Sequence, residues 1–166
     1  MTISVKTFFD TETNNATHLV CDNETRACAI IDSVLDFDLA AGKTATRSAD
    51  EIIFYVNNEG LKVDWILETH VHADHLTASS YMKEKLGGKI GIGSGVVDVQ
   101  NTFGAIYNLG NEFTPDGSQF DVLFADNDRF SIGNLEARVI HTPGHTPACA
   151  TYVIGDCAFT GDTFFM

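Results

Sequence analysis

Apolar and polar positions recur along this chain with two periods, and the switch between them sketches the architecture. Ser4–Phe9, His18–Cys21 and Ala27–Ser33 are short apolar-rich runs parted by Asn14-Asn15 and Asp22-Asn23-Glu24, which predicts three strands with turns between them. Asp32 closes the third. Ala40-Ala41-Gly42-Lys43 reads as a loop. Ser48-Ala49-Asp50-Glu51 has the form of a capping box, and Ala49, Ile52, Ile53 and Val56 fall on one face of a helix that ends before Gly60. A strand over Val63–Glu68, a helix over Leu76–Leu86 closed by Gly87-Gly88, a strand over Lys89–Gly93 and a helix over Val96–Asn108 follow. Phe120–Ala125, Leu135–Ile140, Ala148–Ile154 and Cys157–Thr160 predict further strands, with turns at Asp126-Asn127-Asp128 and Gly155-Asp156. This order fits a two-sheet α/β fold with helices outside rather than a doubly wound sheet. Its length suits one domain over 1–166.

One stretch stands apart from these patterns. Thr69-His70-Val71-His72-Ala73-Asp74-His75 places three histidines and an aspartate directly after the apolar strand Val63–Glu68. Loops at strand ends present side chains from a rigid base, and imidazole with carboxylate suits zinc, iron or manganese. Two later pieces sit at the same kind of position. His141-Thr142-Pro143-Gly144-His145-Thr146 follows one strand and Gly161-Asp162 follows another, so several strands can converge their ligands on one metal. By contrast, Gly91-Ile92-Gly93-Ser94-Gly95 matches no phosphate-binding pattern and reads as a turn. His18 is isolated and reads as a strand-edge residue.

Charge narrows the function classes. A formal net charge of −13 opposes binding to nucleic acid, which needs a basic face. No apolar run approaches the ~20 residues that span a membrane, and the first residues lack the apolar core of a secretory signal, so a cytoplasmic protein is expected. The four cysteines form no C-x-x-C pair. Cys149 and Cys157 lie in apolar strands as buried thiols, and Cys21 and Cys28 are placed to face each other across a hairpin, reduced in that compartment.

Taken together, His70-x-His72-x-Asp74-His75, His145 in Pro-Gly-His-Thr and Asp162 in Gly-Asp-Thr resemble the metallo-β-lactamase superfamily. The wording Thr69–Ser79 and Thr142–Pro147 is similar to the persulfide dioxygenases, which stand close to glyoxalase II. The resemblance implies an αββα sandwich, incomplete at the C-terminus. It further implies one iron(II), Fe(2+), held by His70, His145 and Asp162 as a 2-His-1-carboxylate triad, oxidising glutathione persulfide to sulfite and glutathione. His72, Asp74 and His75 would then orient ligands and water by hydrogen bonds.

The alternative is a dinuclear hydrolase of thioesters or lactones, with zinc or manganese. There His70, His72 and His145 would hold one metal, Asp74 and His75 part of a second, and Asp162 would bridge. That site normally takes a further histidine downstream, and none follows His145 here, which favours iron and dioxygenation. A metal-binding fragment without catalysis is a third reading. A nuclease of the same superfamily is disfavoured by the charge.

The family's chains continue well beyond the Gly-Asp motif, whereas this one stops at Met166, so we expect an N-terminal portion that lacks the side chains gripping glutathione. A sheet face without its helices would leave an apolar patch. The expected consequence is a homodimer or larger assembly pairing through the surface around Ala148–Phe165, with a small thiol or persulfide as the other partner. Light scattering at micromolar concentration checks it; a clean monomer contradicts it.

Overall fold

The computed structural model describes residues 2–164, apart from the side chain of Asn111. Three strands open the chain: β1 (Ile3–Phe9), β2 (Ala16–Asp22) and β3 (Ala27–Ile31). A small ribbon of β4 (Val34–Asp38) and β5 (Lys43–Ala45) leads into helix α1 (Arg47–Asn58). Then come β6 (Lys62–Leu67), the two-residue β7 (Leu76–Thr77), α2 (Ser79–Leu86), β8 (Lys89–Gly93), α3 (Val96–Ile106) and β9 (Val122–Phe124). Four strands end it: β10 (Arg129–Ile132), β11 (Leu135–His141), β12 (Ala150–Ile154) and β13 (Cys157–Phe159).

The strands form a six-stranded sheet in the order β1-β2-β3-β6-β8-β9, a four-stranded sheet β10-β11-β12-β13 and a small sheet β5-β4-β7. In the large sheet β3, β6, β8 and β9 run parallel, so their C-terminal ends lie along one edge. Ile31, Leu67 and Gly91 are neighbours in register at that edge. Every residue of β3 is buried, as expected of a parallel strand covered on both faces. One face meets the four-stranded sheet through Ala29, Ile31, Leu67, Val139, Ala150 and Tyr152. The other face packs Leu19, Ile30 and Ile66 against Ala49, Ile52 and Val56 of α1 and Met82 of α2. Helix α3 contributes Val96 and Val99 to a third cluster with Ile92 and Ala148. The two-sheet plan with helices outside is therefore present, and the helices lie on the large sheet; among the described residues, the apolar core between the sheets contains none from a helix.

Several local expectations need correction. The helix placed over Leu76–Leu86 begins at Ser79, because Leu76 and Thr77 pair instead with Leu35 and Val34 of β4. The capping box does not form: Thr46 is the cap residue, and Ser48 lies inside α1, where its N–H and hydroxyl both bond Asp36. Cys21 and Cys28 do face each other across β2 and β3. Of the surface expected to self-associate, Ala148–Tyr152 is already buried within the chain, Phe164 is exposed, and Phe165 lies outside the described residues.

The two sheets are tied together beneath the large sheet's C-terminal edge by the buried Tyr152, whose hydroxyl donates to the Glu68 carbonyl at 2.8 Å. Removing a buried hydrogen-bonding group costs about 1–2 kcal/mol. Tyr152→Phe should lower stability by that amount in urea unfolding with an unchanged slope; unaltered stability would show that the hydroxyl does not join the sheets.

Candidate metal centre

All three sequence pieces arrive at one edge. The His70 loop leaves the end of β6, the His145 loop joins β11 to β12, and Asp162 sits in a single 3-10 turn, Gly161–Thr163, after β13. Thr69 is where they meet. Its N–H donates to Asp32 Oδ1 at 2.7 Å, its carbonyl accepts from Ala150 N–H at 2.8 Å, and its hydroxyl donates to Asp32 Oδ2 at 2.8 Å. Gly161, at φ +49°, packs so closely on Thr69 that a Cβ there would collide with the threonine side chain. Glycine at 161 is thus what lets Asp162 approach the histidine loop.

The Thr69 hydroxyl also sets the proton on His70. Its one hydrogen goes to Asp32, a carboxylate that only accepts, so toward His70 Nδ1 at 3.0 Å it can only accept. His70 therefore carries its proton on Nδ1 and presents a bare Nε2. That Nε2 is buried, has no hydrogen-bond partner among the described residues, and lies 3.9 Å from Asp162 Oδ2. His145 Nε2 lies 3.6 Å from the same oxygen. The donor atoms of His70, His145 and Asp162 all fall within 4.8 Å of one another. Burial, with repulsion from His72, pushes the His70 pKa down to about 4, so the ring is neutral at pH 7 and its lone pair is available. An orphaned buried lone pair aimed at a carboxylate and a second imidazole is the arrangement a divalent metal satisfies.

A second group stands beside the first: His72, Asp74 and His75 also bring donor atoms within 4.8 Å of one another. His75 Nδ1 faces the Leu76 carbonyl at 3.0 Å and must donate to it, so in the neutral ring Nε2 is a second bare nitrogen, buried and without a hydrogen-bond partner among the described residues. The rings of His70, His72 and His75 run in a row, with centroids 4.1 and 4.2 Å apart. Asp74 is exposed. The structure thus gathers His70 with His145 and Asp162, and sets His72 with Asp74 and His75. Among the described residues His72 also shares a donor set with Asp32 and Glu68, and its ring packs on that of His70.

Two residues that the sequence gave no reason to single out complete the site. His72 Nε2 lies 3.2 Å from Asp32 Oδ1 and 3.3 Å from Glu68 Oε2, and both acids are buried. Burial alone would lower the His72 pKa, but hydrogen bonds and attraction from the two carboxylates outweigh it and raise it to about 10. Burial opposes ionisation of Asp32 too, yet the bonds from His72 and Thr69 hold its pKa below the usual carboxylate value. Asp32 reaches back under the loop because its backbone turns at φ 55°, a conformation Asp and Asn tolerate better than most residues. Glu68 Oε1 accepts from Thr77 and Ser79, which ties the loop to the start of α2. The available signal was positional, since both acids stand at the ends of buried strands like the ligands themselves.

The His72 clamp has a signed pH dependence. Its folded pKa lies above the free value of 6.5, so its stabilisation is complete below about pH 6.5 and is lost as pH rises toward 10. In metal-free protein, the stability advantage of wild type over His72→Asn should shrink steadily from pH 7 to pH 10 in urea titrations. A constant difference over that range would contradict the clamp.

A family model for the metallo-beta-lactamase superfamily matches residues 11–166. A probable metallo-hydrolase of Burkholderia pseudomallei is 48% identical over 99% of this chain and 59% of its own length. Glyoxylase B2 of Dictyostelium discoideum is 48% identical over 98% of this chain and 56% of its own. The human mitochondrial persulfide dioxygenase ETHE1 is 29% identical over 99% and 54%. Among solved structures, ETHE1 from Myxococcus xanthus superposes with a TM-score of 0.74 at 27% identity, covering 98% of this chain and 59% of that one. The chain spans a little over half the length of these relatives. Matched along nearly all its sequence, and with histidine and aspartate donors gathered at one sheet edge, it belongs to the metallo-β-lactamase superfamily.

Proposed function

We propose that His70, His145 and Asp162 hold a single iron(II) and that this centre serves a dioxygenase acting on a small-molecule persulfide such as glutathione persulfide. The observation that carries the reading is the bare, buried Nε2 of His70, aimed at Asp162 beside His145. Two imidazoles and one carboxylate form the donor set of oxygen-using iron sites, where the bound ion supplies redox chemistry at positions left open to substrate. The chain's own residues do the rest. Thr69 fixes the His70 tautomer, Gly161 seats Asp162, and Asp32 with Glu68 holds the His72 proton at Nε2. In the overall change both atoms of dioxygen and one water oxygen end in sulfite. The terminal persulfide sulfur is oxidised, dioxygen is reduced, the S–S bond breaks, and the inner sulfur leaves as thiol with two protons released. Similarity to the persulfide dioxygenases, at 29% identity, supports this reading.

A second reading has its own support. The relatives at 48% identity carry the names metallo-hydrolase and glyoxylase, and those names favour hydrolysis over dioxygenation. The bare Nε2 of His75 next to Asp74 offers donors for a second ion, and zinc or manganese there would suit cleavage of a thioester or lactone.

Oxygen uptake with glutathione persulfide, run beside thioester hydrolysis on the same metal-loaded protein, separates the two. Oxygen consumption that yields sulfite, without hydrolysis, is expected; hydrolysis without oxygen uptake would overturn the first reading, and neither activity would leave a metal-binding module. His70→Ala, His145→Ala and Asp162→Ala should each abolish metal binding. His72→Ala should weaken it by roughly 10–100-fold, as losses of ligand-orienting groups do. Complete loss of metal in His72→Ala would instead mark direct ligation.

A further inference from the structure

Beside the candidate centre lies a cleft of about 830 Å³ between α3 and the loop carrying His145. Its inner wall includes His72 and His145, so whatever fills it lies against the metal centre. Its outer wall is apolar, formed chiefly by Val99, Phe103, Tyr107, Leu109, Phe113 and Pro147. Phe103 and Tyr107 stack at 5.8 Å, yet they remain 46% and 66% exposed, so their faces are available to an occupant. Among the described residues, no Lys, Arg, Asp or Glu lines the cleft. Its two glutamines are engaged with each other and with backbone groups of Gly117 and Thr114. The Thr146 hydroxyl is engaged with Cys149 and Ala148.

We propose that this cleft takes the apolar tail of the substrate, an alkyl or aryl group carried on the sulfur that reacts at the centre. The inference rests on the reading that His70, His145 and Asp162 form that centre, and within the persulfides it ranks those with apolar tails above glutathione persulfide. Glutathione carries two carboxylates and an ammonium group, to which the described lining of this cleft offers no ion-pairing side chain. A hydrocarbon tail asks for none and covers the exposed faces of Phe103 and Tyr107. The occupant is assigned as substrate because the cleft is continuous with two donor histidines of the site.

A homologous series of thiols tests this by direct binding, with the reacting sulfur kept constant and the tail varied. Isothermal titration of the metal-loaded chain with ethanethiol through octanethiol should show affinity rising about fourfold per methylene, the increment for burying one CH2 group. Glutathione should bind no more tightly than ethanethiol. Phe103→Asp should flatten the series, while Phe103→Leu should keep its slope and report that the fold is intact. A flat series in the wild type, or glutathione binding above octanethiol, overturns the inference while leaving the metal reading standing. A flat series with dimerisation that Phe103→Asp abolishes assigns the cleft to a second copy of the chain instead. Should the preparation bind no metal, both the centre and the substrate assignment fall.

Discussion

The Asp32 carboxylate beneath Thr69 is the interaction on which the site depends. Two strands far apart in sequence, β3 and β6, run parallel and end side by side, and this carboxylate bridges their ends. A buried charge is tolerated only when it is fully paired, and Asp32 is paired with the Thr69 N–H, the Thr69 hydroxyl and His72. These bonds fix more than the acid. They determine which nitrogen of His70 holds the proton, they turn His72 on its ring, and they leave Thr69 as the surface against which Gly161 packs. The positions of His70 and Asp162 in the first group therefore trace back to one carboxylate that donates nothing to a metal in that group.

Much of this was legible in the sequence because the signals were dense or periodic. The parallel strands are continuous apolar runs, and the histidine motif, His145 and Asp162 all follow such runs, so their convergence on one edge could be argued before any coordinates. The missed elements are those whose signal is not local. β7 has only Leu76 and Thr77, both exposed, and forms because β4 passes beside it. β4 and β5 form a short ribbon whose tip is exposed. Asp32 looked like the closing residue of a strand, and Glu68 like the last residue of another. Their role appears only once pairing across 40 residues brings Asp32 onto His72. Nor can a sequence show a tautomer, which follows here from a single threonine hydrogen with one possible destination.

The donors fall into two adjacent groups, and the chemistry turns on how many ions they hold. His70, His145 and Asp162 suffice for one. His75 presents a second bare nitrogen next to Asp74, so a second ion has somewhere to sit. His72 stands between the groups with its Nε2 committed to two acids, an arrangement that orients the ring and leaves only Nδ1 uncommitted to them. The cleft beside α3 opens onto His72 and His145, so metal number and substrate shape are decided within one small volume.

The central claim is that the first group alone forms the working centre. Metal content per chain, determined by elemental analysis on protein purified without added metal or chelator, tests it most directly. The account predicts about one iron per chain. Two zinc or manganese ions per chain would contradict it and would place Asp74 and His75 among the ligands of a dinuclear hydrolase.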